Sequence, residues 1–305
     1  MKELWVEKYR PKTVDGYVFR DEAQRTQVDT WIKEKTIPHL LFSGNAGIGK
    51  TTLARLLFNE LDVNPLDILE VNGSRQTGVD EMRDKITNFS QMIPFGDFKV
   101  ILLDEADYLS VNAQAALRGI MEEYHNTVRF ILTCNYPNKV IPAIHSRCQG
   151  FHIAKVDQTE FTARVAEILI TEGITPDLDT LDTYVKATYP DLRKCINMVQ
   201  MNSNSGQLVK PNEGDSGNSD WKLEMVELFK AGKIQEARKL LCGAIRPEEM
   251  EDVYRWLYEN LEIFGSEDNQ DTAVLIIKQG LVDHTLVVDP EINLAATLIR
   301  LARIE

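Results

Sequence analysis

Residues 44–51 carry the most informative chemical pattern in the sequence, Gly-Asn-Ala-Gly-Ile-Gly-Lys-Thr. It matches the spacing Gly-x-x-x-x-Gly-Lys-Ser/Thr, in which glycines let backbone N–H groups crowd around phosphate oxygens. Lys50 can reach the β- and γ-phosphates of a nucleoside triphosphate, and the Thr51 hydroxyl is suited to bind Mg²⁺. A strand-like segment precedes the loop and helical spacing follows it. We therefore predict a triphosphate-binding loop, the alternative being a glycine-rich turn before a helix.

An acidic pair, Asp104-Glu105, ends the uncharged apolar segment 100–103. Such a segment is typical of a central strand in a parallel sheet, and ligands meet these sheets at the carboxyl ends of the strands. There Asp104 would hold Mg²⁺, often through water, and Glu105 would orient and polarise an attacking water. The alternative for both residues is the acidic N-terminus of a helix.

Asn135 follows the next strand-like segment, 128–133. At that position its side chain could order the water near a γ-phosphate. The alternative is that it only forms a turn with Tyr136 and Pro137. With Lys50 and Glu105, Asn135 completes the set of residues predicted to hydrolyse ATP within this chain.

The elements that must position these residues lie in the first half of the chain. Residues 1–155 alternate strand-like and helix-like segments, as βαβ units do, which predicts an α/β domain with a parallel sheet. Residues 156–202 have only helical patterns, and 203–220 are rich in Asn, Ser and Gly, typical of a linker. Residues 221–305 are again helical in pattern, which predicts an all-α C-terminal block.

Composition limits the possible partners and location. The formal net charge of −13 argues against non-specific coating of nucleic acid, so any DNA contact must come from a local basic face or from several subunits. No run approaches the ~18 apolar residues of a membrane span, and the first residues lack an apolar signal core. We expect a cytoplasmic protein, or one of the host cytoplasm if viral. The scattered cysteines favour free thiols over a disulfide framework or zinc site.

A series of short motifs occurs along residues 3–200 in one order. They are Glu7–Pro11, Gly44–Thr51, Leu103–Asp107, Gln114–Arg118, Thr133–Tyr136, Ser146–Cys148 and Asp191–Arg193. Together they resemble the small ATPase subunits of sliding-clamp loaders, the replication factor C group and its T4-like phage counterparts, within the AAA+ superfamily. The resemblance implies a P-loop AAA+ ATPase domain at 1–155, a helical lid domain at 156–202 and a C-terminal oligomerisation collar at 221–305.

The resemblance also assigns residues to ATP. The N-terminal segment closes over the adenine, the alternative being a strap packed on the core; the residues concerned are Val6, Glu7, Lys8, Tyr9 and Val18. Arg193 resembles the second sensor, which touches phosphate in the same subunit, with a surface salt bridge as the alternative. The rest of the expected nucleotide-binding set is Gly44, Gly47, Ile48, Gly49, Lys50, Thr51 and Thr52.

Arg147 resembles the arginine finger that reaches into the neighbouring subunit's ATP site, where it would stabilise charge on the γ-phosphate. Without the resemblance it could equally be a surface cation. The sequence departs from the family at Asn45 and Ile48, where proline and threonine are usual; these positions supply backbone amides, so binding should survive. Gly119 stands where a second arginine often follows Arg118, which puts the coupling of DNA to the ATP site in doubt.

Two further surfaces follow from the resemblance. Arg75, Arg83 and Lys85 would hold phosphates of duplex DNA, or they form a solvated helix face. The segment 91–95 would touch the clamp, or it is buried in its own core. In the collar, apolar residues at helical spacing would pack against other subunits, or fill a self-contained domain; they are Leu223, Val226, Leu228, Phe229, Leu294, Leu298 and Leu301.

The resemblance therefore implies an ATP- and Mg²⁺-dependent clamp-loader subunit. Its expected partners are other clamp-loader subunits in a ring or spiral, expected to be pentameric, a sliding clamp and primer–template DNA. An alternative is an AAA+ DNA translocase such as a branch-migration helicase, which would need a C-terminal DNA-reading domain. A non-catalytic scaffold is the other alternative, and the intact Lys50, Asp104 and Glu105 argue against it.

Overall fold

The computed structural model describes residues 3–74, 79–204, 206–209, 221–244 and 250–304. The chain forms two compact units, one of residues 1–168 with 190–200 and one of residues 169–189 with 201–305. No helix within the described ranges is both long enough and apolar enough to span a membrane.

The first unit is built on a parallel sheet. Its strands are β1 (Leu40–Ser43), β2 (Ile68–Asn72), β3 (Lys99–Asp104), β4 (Val128–Cys134) and β5 (Gln149–His152), in the order β2-β3-β4-β1-β5. The register places Ser43 beside Cys134 and Asn72 beside Asp104. The carboxyl ends of the strands therefore meet at one edge, as the sequence predicted for this α/β fold.

The helices are given in chain order. They are α1 (Trp5–Lys8), α2 (Glu22–Glu34), α3 (Lys50–Glu60), α4 (Val79–Gln91), α5 (Val111–Glu123), α6 (Pro142–His145), α7 (Gln158–Thr171), α8 (Leu178–Thr188), α9 (Leu192–Met201), α10 (Trp221–Lys230), α11 (Ile234–Ala244), α12 (Met250–Glu259), α13 (Glu267–His284) and α14 (Pro290–Leu301). Side-chain caps fix several starts: Ser110 accepts a hydrogen bond from Ala113 N at α5, and Asp289 caps α14 ahead of Pro290.

The sheet has an apolar core on each face, because successive strand residues point to opposite sides. The core that includes residues of α2 and α3 contains Val28, Trp31, Leu40, Phe42, Leu53, Leu57 and Leu102. The core that includes residues of α4 and α5 contains Leu41, Met82, Ile86, Ile101, Leu103, Leu117 and Phe130. This double covering explains why residues 100–103 of β3 and 130–134 of β4 are uncharged.

The second unit contains α8, α10–α14 and a hairpin of β6 (Ser203–Asn204) and β7 (Gln207–Leu208). The hairpin lies at the start of the predicted linker, most of which is outside the described residues. A buried network joins three helices: Asn293 Nδ2 donates to Tyr254 Oη at 2.8 Å and to Gly280 O at 2.7 Å. The predicted domain boundaries at 155, 202 and 220 remain predictions.

The apolar residues of the C-terminal block that were expected to face neighbouring subunits lie in the interior of the second unit. Leu223, Val226, Phe229, Leu294, Leu298 and Leu301 are buried, and Leu228 is half-buried. They fill the core of this unit because their helical spacing places them on the sides where α10, α11, α13 and α14 pack together. These residues match the self-contained alternative, while assembly through other surfaces of the collar remains a prediction.

Candidate active site at the carboxyl edge of the sheet

The phosphate-binding loop connects β1 to α3. Gly44, Gly47 and Gly49 have φ values of 148°, 73° and 96°, which favour glycine. A Cβ atom at Gly44 would lie 2.2 Å from Ile153 O, and one at Gly47 would lie 1.9 Å from Asp191 Oδ1. The loop therefore requires glycine at these positions for both conformation and space.

Lys50 lies inside this loop. Its Nζ donates to Gly44 O at 2.9 Å, to Asn45 O at 2.6 Å and to Asn135 Oδ1 at 2.8 Å. Burial lowers the pKa of Lys50, and the nearby Asp104 carboxylate is among the groups that oppose this lowering. The ammonium group is therefore held at the centre of the loop by groups of the loop and the end of β4.

The acidic pair at the end of β3 is fixed by two hydroxyl groups. Asp104 Oδ1 accepts hydrogen bonds from Thr51 Oγ1 at 2.9 Å and from Thr133 Oγ1 at 2.5 Å. Glu105 N donates to the same Thr133 oxygen at 3.0 Å. Glu105 has φ 59°, in the left-handed region that is unfavourable for a residue with a side chain. Thr133 thus holds both acidic residues, although the sequence did not single it out.

The oxygen atoms of Thr51 and Asp104 fit a magnesium site. Hard oxygen ligands suit Mg²⁺, which is usually bound through one or two carboxylates and completed by phosphate and water. Among the described residues, no group of three or more His, Cys, Asp or Glu side chains could hold a metal ion. A magnesium ion here would therefore take its remaining ligands from the substrate and water.

Asn135 is held through its backbone as well as its side chain. Its N–H donates to Asp107 Oδ2 at 3.1 Å, and Tyr136 N donates to the same oxygen at 2.9 Å. Asp107 is only 6% exposed. Asp107 had no predicted role beyond its place in the motif Leu103–Asp107. Its hydrogen-bond partner, the backbone N–H of Asn135, lies 28 residues further along the chain, so no local pattern relates the two.

Lys50, Asp104, Glu105 and Asn135 line one cavity, which we name the phosphate-side cavity after its predicted ligand. A second cavity, named the adenine-side cavity in the same way, lies next to the loop and is lined by part of the N-terminal segment. Val6, Tyr9 and Val18, three of the residues predicted to bind adenine, line it, whereas Glu7 and Lys8 do not. Adenine binding in this cavity remains a prediction. In the single turn of α1, positions three apart share a face, so Val6 and Tyr9 lie together and the residues between them are exposed. Glu7 instead pairs with Arg10 at 2.6 Å, and Lys8 Nζ lies 5.1 Å from the centroid of the Tyr9 ring.

Other residues of this cavity were not predicted. Tyr17, Phe161, Arg164 and Ile196 line it together with Gly47, Ile48, Gly49 and Thr52 of the loop and α3. Tyr17 Oη donates to Ile48 O at 3.5 Å, and burial raises the pKa of this phenol. Arg164 donates to Tyr9 O at 3.1 Å, which ties α1 to α7. Their separation in sequence left no local pattern that would have identified them.

The helix α9 contacts both ends of the site. Near its start, Arg193 lines both the adenine-side cavity and the phosphate-side cavity. Near its end, Gln200 accepts a hydrogen bond from Trp5 N at 3.0 Å and donates to Glu3 O at 2.8 Å. The expected second sensor is thus near the phosphate loop, and the N-terminal segment is attached to the same helix.

Comparisons with known proteins agree with this geometry. Residues 40–156 match the family of ATPases associated with various cellular activities, AAA. The replication factor C small subunit of Archaeoglobus fulgidus is 37% identical over 93% of this chain and 92% of its own length. That of Methanococcus vannielii is 38% identical over 79% of each. The chain belongs to the replication factor C small subunits. The predicted family, the AAA+ fold and the function of a clamp-loader ATPase are thereby confirmed.

A solved structure of a more distant protein shares the fold. Thermotoga maritima RuvB, described as a Holliday junction branch migration motor, has a TM-score of 0.56 and 17% identity, covering 81% of this chain and 80% of that one. At this identity the similarity concerns the fold alone.

Arg147 of this replication factor C small subunit does not line either of the two cavities beside the phosphate-binding loop of its own chain. It forms an ion pair with Glu122 and donates to Ala143 O at 2.7 Å. Arg118 Nε lies 3.9 Å from the same Glu122 carboxylate. The predicted action of Arg147 on a neighbouring subunit is compatible with this position outside its own nucleotide site.

The surfaces expected to meet DNA and the clamp are partly described. Arg83 and Lys85 are exposed on α4, while Arg75 lies outside the described residues. In the segment 91–95, the exposed fractions of Ile93 and Phe95 are 87% and 72%. These two apolar side chains are therefore on the surface, contrary to the alternative that the segment is buried in its own core.

The exposed turn is supported from beneath by a buried carboxylate. Asp67 is fully buried, and its Oδ2 accepts hydrogen bonds from Phe95 N and Gly96 N, each at 2.8 Å. Its other oxygen lies 4.0 Å from Nζ of the buried Lys99. Because both amides are fixed, the apolar turn has a defined conformation despite its exposure.

Proposed function

We propose that this clamp-loader subunit binds ATP between the loop 44–51 and α1, and hydrolyses it at the carboxyl edge of β3 and β4. The convergence of Lys50, the acidic pair and Asn135 on one loop supports this proposal most directly. The glycine loop and the N-terminus of α3 would bind the phosphates, and the cavity lined by Val6, Tyr9 and Val18 would take the adenine.

Each residue of this site would have a separate role in hydrolysis. Lys50 neutralises the β- and γ-phosphates, and Asn135 orders the attacking water. Glu105 orients and polarises that water so that its oxygen attacks the γ-phosphorus in line with the leaving oxygen. Thr51 and Asp104 would hold Mg²⁺, which supplies neutralisation of the triphosphate charge when bound. Arg193 contacts phosphate in the same subunit.

Arg147 would complete the site of a neighbouring subunit. Because Arg147 lines neither of the two cavities beside the phosphate-binding loop, it would act on the γ-phosphate of a neighbour and not on its own, so assembly with other clamp-loader subunits would raise turnover. A guanidinium stabilises the charge that develops on the phosphoryl oxygens. We propose a ring or spiral of five subunits acting in the cytoplasm.

The same proposal assigns the outer surfaces. Ile93 and Phe95, with Met92, would contact the sliding clamp through apolar surface, while Arg83 and Lys85 would contact primer–template DNA. Since the net charge of the chain is −13, one subunit would bind DNA weakly and several would sum their contacts. ATP binding would hold the clamp open, and hydrolysis on primed DNA would release it.

The test compares ATP turnover by the assembled complex with and without clamp and primed DNA. Addition of both should accelerate turnover, and an unchanged rate would contradict the proposed coupling. Glu105→Gln should retain ATP binding, measured with a fluorescent ATP analogue, but lose about 10²- to 10⁴-fold in turnover, because water activation is removed. Wild-type turnover in this variant would show that Glu105 is misassigned.

A further inference from the structure

Asp107 is a buried carboxylate whose two oxygens have unequal surroundings. One oxygen, Oδ2, accepts both backbone hydrogen bonds from Asn135 and Tyr136. The other, Oδ1, is buried and has no hydrogen-bond partner among the residues that the structure describes. Leaving a buried acceptor unpaired is unfavourable, and more so for a charged group.

The position of Asp107 relates two parts of the site. It lies in the single turn Ala106–Tyr108 that directly follows Glu105. In that turn Tyr108 N donates to Glu105 O at 3.1 Å. The same short segment thus carries Glu105 and, through Asp107, fixes the backbone of Asn135 at the end of the neighbouring strand.

The side chain and the backbone of Asn135 contact different groups. Its Oδ1 accepts a hydrogen bond from Lys50, the residue whose ammonium is expected to turn to the phosphates when ATP binds. The hydrogen bond from Lys50 to Asn135 would then break, whereas the hydrogen bonds from the backbone to Asp107 do not involve Lys50. The backbone of Asn135 would therefore stay fixed while its side chain changes partner.

We propose that Asp107 is a positioning residue for ATP hydrolysis, which holds Asn135 in place relative to Glu105. The inference rests on the proposed role of Asn135. It separates the binding of ATP from its cleavage, because Asp107 lines neither of the two cavities of the site. Among the described contacts, its carboxylate acts on Lys50 through charge and not through a hydrogen bond. Loss of the carboxylate should misplace the side chain that orders water, and small displacements of this kind cost about ten- to a hundredfold in rate.

The decisive variants are Asp107→Ala and Asp107→Asn in the assembled complex. Asp107→Ala should lower kcat by about ten- to a hundredfold while the Kd for a fluorescent ATP analogue stays within about threefold. Asp107→Asn keeps an oxygen that can accept both N–H groups and should restore most of kcat. If Asp107→Ala does not fold, Asp107→Glu displaces the carboxylate by one methylene and carries the same expectation for kcat and Kd.

Asp289 supplies the matched control. Its Oδ1 also accepts two backbone hydrogen bonds, from Glu291 N at 3.0 Å and Ile292 N at 3.4 Å, but it lies in the second unit, outside the two cavities of the site. Asp289→Ala should lower thermal stability and leave kcat unchanged. Equal losses of kcat in both variants would overturn the assignment of a specific role to Asp107.

A double-mutant cycle separates this inference from the proposed function. Asn135→Ala alone should lower kcat, and adding Asp107→Ala should then cause no more than about a twofold further loss. A normal kcat in Asn135→Ala would refute the proposed role of Asn135 itself. A low kcat in Asn135→Ala together with a normal kcat in Asp107→Ala would refute the positioning role alone, as would fully additive losses.

Hydrogen exchange supplies a readout that does not depend on turnover. The amides of Asn135 and Tyr136 should be protected in the wild-type protein and in Asp107→Asn, and should exchange faster in Asp107→Ala. Unchanged protection in Asp107→Ala would contradict the inference, since the amides would then not depend on this carboxylate.

Discussion

Removal of the Thr133 hydroxyl tests how the acidic pair is held. Thr133→Val keeps the shape of a side chain that is 1% exposed, but it removes the donor to Asp104 and the acceptor for Glu105 N. A hydrogen bond to a charged group contributes about 1.5–3 kcal/mol, and an ordinary one about 0.5–1.5 kcal/mol. The two hydrogen bonds together contribute about 2–4.5 kcal/mol, which is divided between the stability of the fold and the stabilisation of the transition state.

The division can be measured directly. If half of this free energy is expressed in the transition state, kcat falls by about five- to fortyfold, since 1.4 kcal/mol corresponds to tenfold. The rest should appear as a loss of about 1–2 kcal/mol in the free energy of unfolding. Phosphate release at saturating ATP gives kcat, and urea unfolding gives stability.

Thr133→Ser is the control because it retains the hydroxyl and removes only the methyl group. It should keep kcat within about threefold and lose about 1 kcal/mol of stability. A wild-type kcat in Thr133→Val would refute the argument that this hydroxyl orients Asp104 and Glu105. Equal kcat values in the valine and serine variants would refute it as well.

Three further predictions concern other parts of the chain. Arg147→Ala should leave ATP binding by its own subunit unchanged but lower turnover of the assembled complex by about 10³-fold or more, and normal turnover would exclude a finger role. Ile93→Ser should weaken binding of the complex to the clamp without lowering the melting temperature, because Ile93 is 87% exposed; unchanged clamp affinity would remove this turn from the interface. Burial, with the Arg129 charge adding to it, lowers the pKa of His39 to about 4. The folded state therefore binds fewer protons than the unfolded state, so stability should fall as pH decreases from about 6.5 to about 4. Urea unfolding across this range should show a smaller fall in His39→Gln, and an equal fall would contradict the assignment.

The sequence predicted the parts of the site that depend on local pattern. The glycines and Lys50 lie in one continuous loop, and Asp104 and Asn135 each follow an apolar strand. Parallel strands place their carboxyl ends together, so the meeting of these residues follows from the strand pattern. The fold of the first unit could be predicted for the same reason.

The residues that were missed depend on contacts between separate segments. Thr133 and Asp107 act across the register of β3 and β4, which no single stretch of sequence specifies. The family resemblance placed Glu7 and Lys8 at the adenine with the rest of the N-terminal segment, but the one-turn geometry of α1 turns them away from the cavity. Local pattern thus predicted the elements better than the faces that those elements present.

The N-terminal segment is hydrogen-bonded to Gln200 of α9, and Arg193 of the same helix lines the phosphate-side cavity. The two ends of the proposed nucleotide site are therefore linked through one helix. Arg193 and Gln200 are seven positions apart, about 10 Å along one helix at 1.5 Å per residue. If ATP binds as proposed, a tilt or shift of α9 that withdraws the Arg193 guanidinium from the phosphates would also displace α1 from the adenine. In the proposed site, exchange of spent nucleotide for fresh ATP would therefore respond to the motion of one short helix.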